Sequence, residues 1–403
     1  MQQRTSASRG EKDIDVRIDW GIIFCVLMLA LIGIASIYVA AAHDAKTVSV
    51  VRQVITQVVW YAIGTVAIVI LMQFDSEQLW RLAPLAYGVG IFLLVAVLVF
   101  YSRAYYVQTG ARSWFAIGPL TFQPSEVMKP AYILMMARVI SMHNNQYPTH
   151  TMKTDWWLIG KMIAWTLPIF VLMKLQNDFG TNLVFAAILA GMILVSGVTW
   201  RIIAPAFGIV AVVGGTALTL VVTSWGRVLL SHVGFQAYQF ARVDTWLHPA
   251  ADTSNQGYQL WQSMKAIGSG GIFGTGFNVS HVYVPVRESD MIFSVIGENF
   301  GFVGGLLLVM LYFYLIWQMV RVTFDTQNEF YAYIATGVIM MILFHVFENI
   351  GMNIGLLPLT GIPLPFVSQG GSALIGNLIG VGLIMSMRYH YTSYMFSNSG
   401  RFK

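Results

Sequence analysis

Apolar residues along this chain come in long unbroken runs, not at the alternating spacing of a half-buried strand or the 3.6-residue spacing of a surface helix. Ten runs approach the roughly 20 apolar residues that a helix needs to cross a bilayer. They cover residues 20–41, 55–72, 79–100, 124–142, 157–175, 180–198, 202–223, 290–320, 331–354 and 368–387. The fourth run starts with polar residues, which predicts a helix buried among others. The eighth is too long for one perpendicular crossing and predicts a break or re-entrant turn before Gly301 and Phe302. The first exceeds the apolar stretch of a signal peptide and reads as a span. The pattern predicts an all-α polytopic domain over 20–388 with about ten transmembrane helices. Tails occupy 1–19 and 389–403, and one large loop occupies 224–289. No repeat relates the two halves, which weighs against a transporter built from inverted repeats.

Composition agrees. Of 403 residues, 57% are hydrophobic and 10% charged, where a soluble domain carries about 25% charged residues. Mean hydropathy is +0.66. These values exclude a soluble enzyme, a disordered tail and a nucleic-acid binder. The net charge of +5 is a topology signal. Lys and Arg gather at the termini and in the loops on their side once the long loop, exempt from the rule, is set aside. Both termini are therefore expected in the cytoplasm and the 224–289 loop outside it. The single cysteine, Cys25, lies in an apolar run, so neither a disulfide framework nor a thiolate metal cluster is expected.

Ionisable groups at membrane depth cost roughly 2.5–3.5 kcal/mol each by the lower scales, and persist when paired or functional. Glu126, Asp178, Asp290, Glu298 and Glu348 lie in or beside spans, with Lys129 on the same helix face as Glu126. Each admits a plainer role. Glu126 and Lys129 suit a structural ion pair, Asp290 a helix cap, and Glu348 with His345 and Asn349 a contact between helices. Asp290 stands out because it joins the large loop to the bilayer, the depth at which a base serving a lipid-linked substrate has to sit. The glycine-rich stretch from Gly268 to Gly276 lacks the preceding strand and the closing Lys-Ser/Thr of a nucleotide loop. As a flexible loop it offers backbone amides to a pyrophosphate.

Several blocks carry a family likeness. They are Ala111-Arg112-Ser113-Trp114, then Gln123-Pro124-Ser125-Glu126 with Lys129, then Gln176-Asn177-Asp178-Phe179-Gly180-Thr181. Ala266-Ile267-Gly268-Ser269-Gly270-Gly271, Asp290-Met291-Ile292-Phe293 and Pro363-Leu364-Pro365-Phe366-Val367-Ser368-Gln369-Gly370-Gly371 follow. In this order the chain resembles the SEDS proteins (shape, elongation, division and sporulation). It is most similar to their elongation branch in Gram-positive bacteria. The resemblance implies a peptidoglycan glycosyltransferase that polymerises lipid II into β-1,4 glycan strands, with its active site on the extracytoplasmic face of the cytoplasmic membrane. It also implies a class B penicillin-binding protein as crosslinking partner, alongside other membrane proteins of the elongation complex. The family's essential aspartate maps onto Asp290. The flanking residues depart from the usual pattern, with Val286 where many relatives have Glu.

An α-linked diphosphate donor and a β-linked product imply one inversion, and so a base but no protein nucleophile. An inverting glycosidase adds a general acid, whereas a diphosphate leaves readily once cations balance its charge. Asp290 is accordingly the expected catalytic base. Arg112, Lys129, Arg242 and Lys265 are expected to grip diphosphate, and Glu126, Asp178, Ser368 and Gln369 to line the substrate site. No organic cofactor is expected; a divalent cation, Mg or Mn, suits the charge balance, with Asp290 and Glu126 as its ligands. Two other functions compete: a lipid flippase, which needs charge along a path through the membrane, and a non-catalytic scaffold, which tolerates loss of Asp290.

Overall fold

The computed structural model describes residues 17–44, 49–118, 120–232, 243–251 and 256–397. Each of the ten apolar runs folds as a helix. Helices α1 (Trp20–Ala42), α2 (Val50–Leu71) and α3 (Ser76–Phe100) come first, followed by the short α4 (Arg103–Thr109). A small antiparallel hairpin, β1 (Phe115–Ile117) and β2 (Leu120–Phe122), leads into α5 (Pro124–Gln146). Then come α6 (Met152–Gln176), α7 (Phe179–Val195) and α8 (Trp200–Val222). The large loop contributes α9 (Ser224–His232) and α10 (Gln256–Ser269), before α11 (Ile292–Thr326), α12 (Glu329–Asn353) and α13 (Gly371–Ser397). Among the described residues, eight helices are long and apolar enough to cross a membrane: α1, α2, α3, α6, α8, α11, α12 and the Gly371–Tyr391 part of α13. Of the two other runs, α7 has only 17 residues and α5 is too polar to qualify. The hairpin, at whose turn Gly118 adopts φ 62°, is the one departure from the all-helical expectation among the described residues.

Local signals start the helices where expected. Asp75 and Gln78 form a capping box on α3, and Thr151 and Thr154 form one on α6. Pro124 opens α5, where its missing N–H costs nothing. As its polar start predicts, α5 is interior. It packs against α3, α12 and α13, with α6 and α7 beside it. The charge this brings inside is paired. The Lys129 ammonium donates to both Glu126 oxygens at 2.8 Å and to His345 Nε2 at 2.9 Å. The other ring nitrogen of His345 faces the Met341 carbonyl. All three ammonium protons are thus placed, which a buried ion pair requires to offset its desolvation.

The predicted break in α11 falls at Gly301, whose φ of 62° and ψ of −159° lie outside the helical region. A break strands backbone carbonyls before it and N–H groups after it, each costing several kcal/mol if left unpaired in lipid. The glycine-rich loop after α10 fills both sets. Thr275 N donates to Glu298 O at 2.9 Å and Gly276 N to Asn299 O at 3.2 Å. Phe302 N donates to Gly271 O at 2.9 Å and Val303 N to Ile272 O at 3.0 Å. The glycines serve this close approach: a Cβ on Gly270 would lie 1.9 Å from Gly297 O, and one on Gly274 2.1 Å from Asn299 O. Thr275 and Gly276, which close the stretch, therefore direct their amides at the broken helix, and the reading of that stretch as a pyrophosphate cradle gives way to a structural one.

Gly274 and Gly276 test this account, because both have positive φ (86° and 104°) but only Gly274 is crowded. A Cβ on Gly276 would meet nothing nearer than Val279 Cγ2 at 3.8 Å. Gly276→Ala is expected to cost only the left-handed penalty of about 1–2 kcal/mol. Gly274→Ala adds overpacking of roughly 1–3 kcal/mol. Thermal unfolding in detergent should rank wild type above Gly276→Ala above Gly274→Ala.

Candidate active site

Asp290 is the last residue but one before α11. The turn that carries it contains Val286 at φ 56°, a conformation that a β-branched residue rarely adopts. Helix α11 is capped by Met291, with no side-chain bond, so the Asp290 carboxylate does not spend itself as a cap. Its backbone is held instead. Three consecutive carbonyls of the turn are gripped: Glu288 O by Gln369 N at 2.9 Å, Ser289 O by the Ser368 hydroxyl at 2.7 Å, and Asp290 O by the side-chain amides of Asn349 at 2.8 Å and Asn353 at 3.1 Å. Asn349 also holds Ile362 O at 2.8 Å, which brings the loop after α12 alongside.

That loop leaves space for chemistry. At Gly361, φ 75°, a Cβ would meet only Asp290 Oδ2, at 3.3 Å, with nothing else within 4 Å. The carboxyl therefore borders an open volume on that side. Burial pushes Asp290 up to about 7, with the Ser289 hydrogen bond opposing and the Glu288 charge adding. Among the described residues no cation belongs to the groups that act on it, so no salt bridge there holds the carboxyl in its charged form.

The other candidates gather at the same end of the bundle but in different roles. Ser368 and Gln369 hold the Asp290 turn through the contacts above. The Ser368 carbonyl in turn accepts from Gln57 of α2 at 3.3 Å, and Gly370 N donates to Gln57 Oε1. Asp178 caps α7 through Thr181 N at 3.1 Å and accepts from Gln123 Nε2 at 2.9 Å, occupying both oxygens. Glu126 and Lys129 satisfy each other inside α5. The Arg112 guanidinium lies 5.4 Å over both the Tyr101 and Tyr106 rings and makes no side-chain hydrogen bond among the described residues. Lys265 is exposed on α10, its ammonium 6.0 Å over the Trp261 ring. Arg242 lies outside the described residues. No group of three or more His, Cys, Asp or Glu suited to a metal occurs among the described residues.

Sequence reasoning missed several contributors. Asn353 and Gln57 are buried amides whose partners lie far away in sequence, so nothing local marks them. Arg287, 2% exposed, donates to the Ser280 hydroxyl at 2.8 Å while its Nε and Nη2 find no hydrogen-bond partner among the described residues. Burial pulls its guanidinium down from the usual value, and Glu298 opposes this most. Glu298 accepts the backbone N–H groups of His281 and Val282, fastening the loop to the first turns of α11. The signal available was density of charge: Arg287, Glu288 and Asp290 within four positions.

Comparison with known proteins places this architecture. The chain is 33% identical over 379 residues to the peptidoglycan glycosyltransferase MrdB of Escherichia coli K12, covering 93% of this chain and 94% of that one. It is 31% identical over 380 residues to the stage V sporulation protein E of Bacillus subtilis, covering 93% and 97%. Among solved structures, a chain of a peptidoglycan synthase complex that coordinates polymerization and crosslinking superposes with a TM-score of 0.73 at 27% identity, covering 93% of this chain and 98% of that one. The rod shape determining protein RodA of Thermus thermophilus superposes with a TM-score of 0.64 at 27% identity, covering 93% and 97%. The family profile described as cell cycle protein, FtsW/RodA/SpoVE, matches residues 19–393, and the chain, a multi-pass membrane protein, belongs to that family.

Proposed function

We infer that this chain is a peptidoglycan glycosyltransferase, and we propose that it polymerises lipid II with Asp290 as general base. The observation that carries the assignment is the Asp290 carboxyl: not used as the cap of α11, without a salt bridge among the described residues, raised to about 7 and bordering open space at Gly361. In the proposed step the acceptor 4-hydroxyl attacks C1 of the donor sugar and its proton passes to an Asp290 oxygen. The bond from C1 to the diphosphate oxygen breaks with inversion, and the polyprenyl diphosphate departs. A base works best when its pKa lies near the operating pH, which burial achieves here for a residue otherwise near 3.9.

Lys129 has no proton to spare, so the charge of the leaving diphosphate falls to Arg112, Lys265 and Arg242 in this proposal. Arg112 is the best suited, since stacking on two tyrosines fixes the plane of its guanidinium and leaves its N–H edge free for bidentate phosphate contact. For a divalent cation, Mg or Mn, Glu126 does not fit, because both its oxygens bind Lys129. Asp290 does, since such ions take one or two protein carboxylates and complete their shell with phosphate and water. When bound there, the cation would neutralise the departing diphosphate. The termini are proposed to be cytoplasmic and the Asp290 end extracytoplasmic. Elongation of the cell wall is the proposed process, and a class B penicillin-binding protein the proposed crosslinking partner. The synthase complex among the structural relatives supports such a partner.

The test is purified protein with labelled lipid II. Asp290→Asn is expected to lower polymer formation by about 10²–10⁴-fold. Undiminished polymer would remove Asp290 from the mechanism, and lipid movement across vesicles without polymer would turn the assignment to a flippase. Because the carboxylate is the active form, the wild-type rate should rise with pH through about 7 and level off above it; a rate independent of pH from 5 to 9 would contradict a base of this kind. Gly361→Ala puts a methyl group 3.3 Å from Asp290 Oδ2 and should lower turnover at least tenfold, roughly the effect of blocking correct approach to the base.

A further inference from the structure

We propose that α10 sets the position of Asp290, and that Ser263 and Asn353 are positioning residues linking this helix of the outer loop to the catalytic turn. The inference rests on the reading of Asp290 as base and adds the element that controls it. The polar route runs through side chains that are fully buried. The Ser263 hydroxyl lies 3.0 Å from both the backbone oxygen and Oδ1 of Asn353. The Asn353 amide donates to Asp290 O at 3.1 Å and to Asn349 O at 2.8 Å, and Asn349 holds Asp290 O and Ile362 O together. Asn353 is thus oriented at one end by α10 and aims its N–H at the Asp290 carbonyl from the other.

A second, apolar route joins the same two elements. Ala266 of α10 clusters with Val284 and Met291, which flank the Asp290 turn, and Leu359 from the loop that carries Gly361 packs against that cluster. Met291, next to Asp290, is thereby tied to α10. The C-terminal end of the helix continues into the glycine loop docked in the α11 break, and Trp246, earlier in the same loop, donates to Gly355 O just beyond α12 at 3.0 Å. The other face of α10 presents Trp261 and Lys265 outward.

A double-mutant cycle tests this. Ser263→Ala is expected to lower kcat roughly tenfold, within the range for contacting residues, with KM changed by less than about twofold. Ser263→Cys, which keeps a weak donor, should recover part of the loss. Asn353→Asp keeps the acceptor for Ser263 but removes the donor to Asp290, and should lower kcat as far as Asn353→Ala does. Adding Ser263→Ala to Asn353→Ala should then lower kcat no further. Additive losses, a loss confined to KM, or wild-type kcat in Ser263→Ala would overturn the relay. Hydrogen exchange needs no turnover: Ser263→Ala should speed exchange over residues 286–291 with an unchanged melting temperature. Unchanged exchange there overturns the relay even if the polymerase assignment stands, and faster exchange upholds it even if no polymer forms.

Discussion

Helix α11 is interrupted within an apolar stretch, and the rest of the architecture at this end of the bundle depends on how that interruption is healed. In hydrocarbon no water is available to take up the freed carbonyls and amides, so another piece of backbone has to enter. Only a chain almost without side chains comes close enough, which is why the loop from Gly268 to Gly276 is rich in glycine. Once docked, this loop anchors the end of α10. Through α10 it anchors the packing of Ala266 on Met291 and the bond from Ser263 to Asn353. A local problem of hydrogen bonding thus fixes the seat of a carboxylate in the turn just before the helix.

The carboxylate itself is treated in two ways at once. Its main chain is among the most restrained segments of the molecule, with side-chain amides, a hydroxyl and a backbone N–H drawn from α12 and from the loop before α13. Its side chain has few partners, and burial makes ionisation costly. Holding the backbone and sparing the side chain lets a residue be both precisely placed and chemically available. The strained Val286 fits this division, since unusual backbone angles persist where the surroundings over-determine them.

Long apolar runs reported the eight helices that, among the described residues, are long and apolar enough to cross a membrane, because the requirement to span hydrocarbon acts on consecutive residues. The break at Gly301 was legible for the same reason: a run too long for one crossing has to bend. Asp290 drew attention as a candidate through its place between loop and span. Ser368 and Gln369 were found through family likeness, but their work on the Glu288 and Ser289 carbonyls was not, since a sequence names residues and not which face of them is used. Asp178 and Lys129 show the reverse limit. Both read as candidates for the substrate because charge at membrane depth attracts attention, yet one caps α7 and the other is fully engaged inside the bundle. Asn353 and Gln57 carry no local signature, for their meaning arises only when distant segments meet.

The interior trio of Glu126, Lys129 and His345 also constrains how such a protein can change over time. Losing any one member strands a charge or a lone pair in a dry interior, whereas replacing all three with apolar side chains of similar volume can be nearly neutral. Single-step drift at these positions passes through a poorly folded intermediate, so descendants keep the whole set or discard it together. Buried polar groups of this kind act as a lock on sequence divergence, independently of any part they take in catalysis.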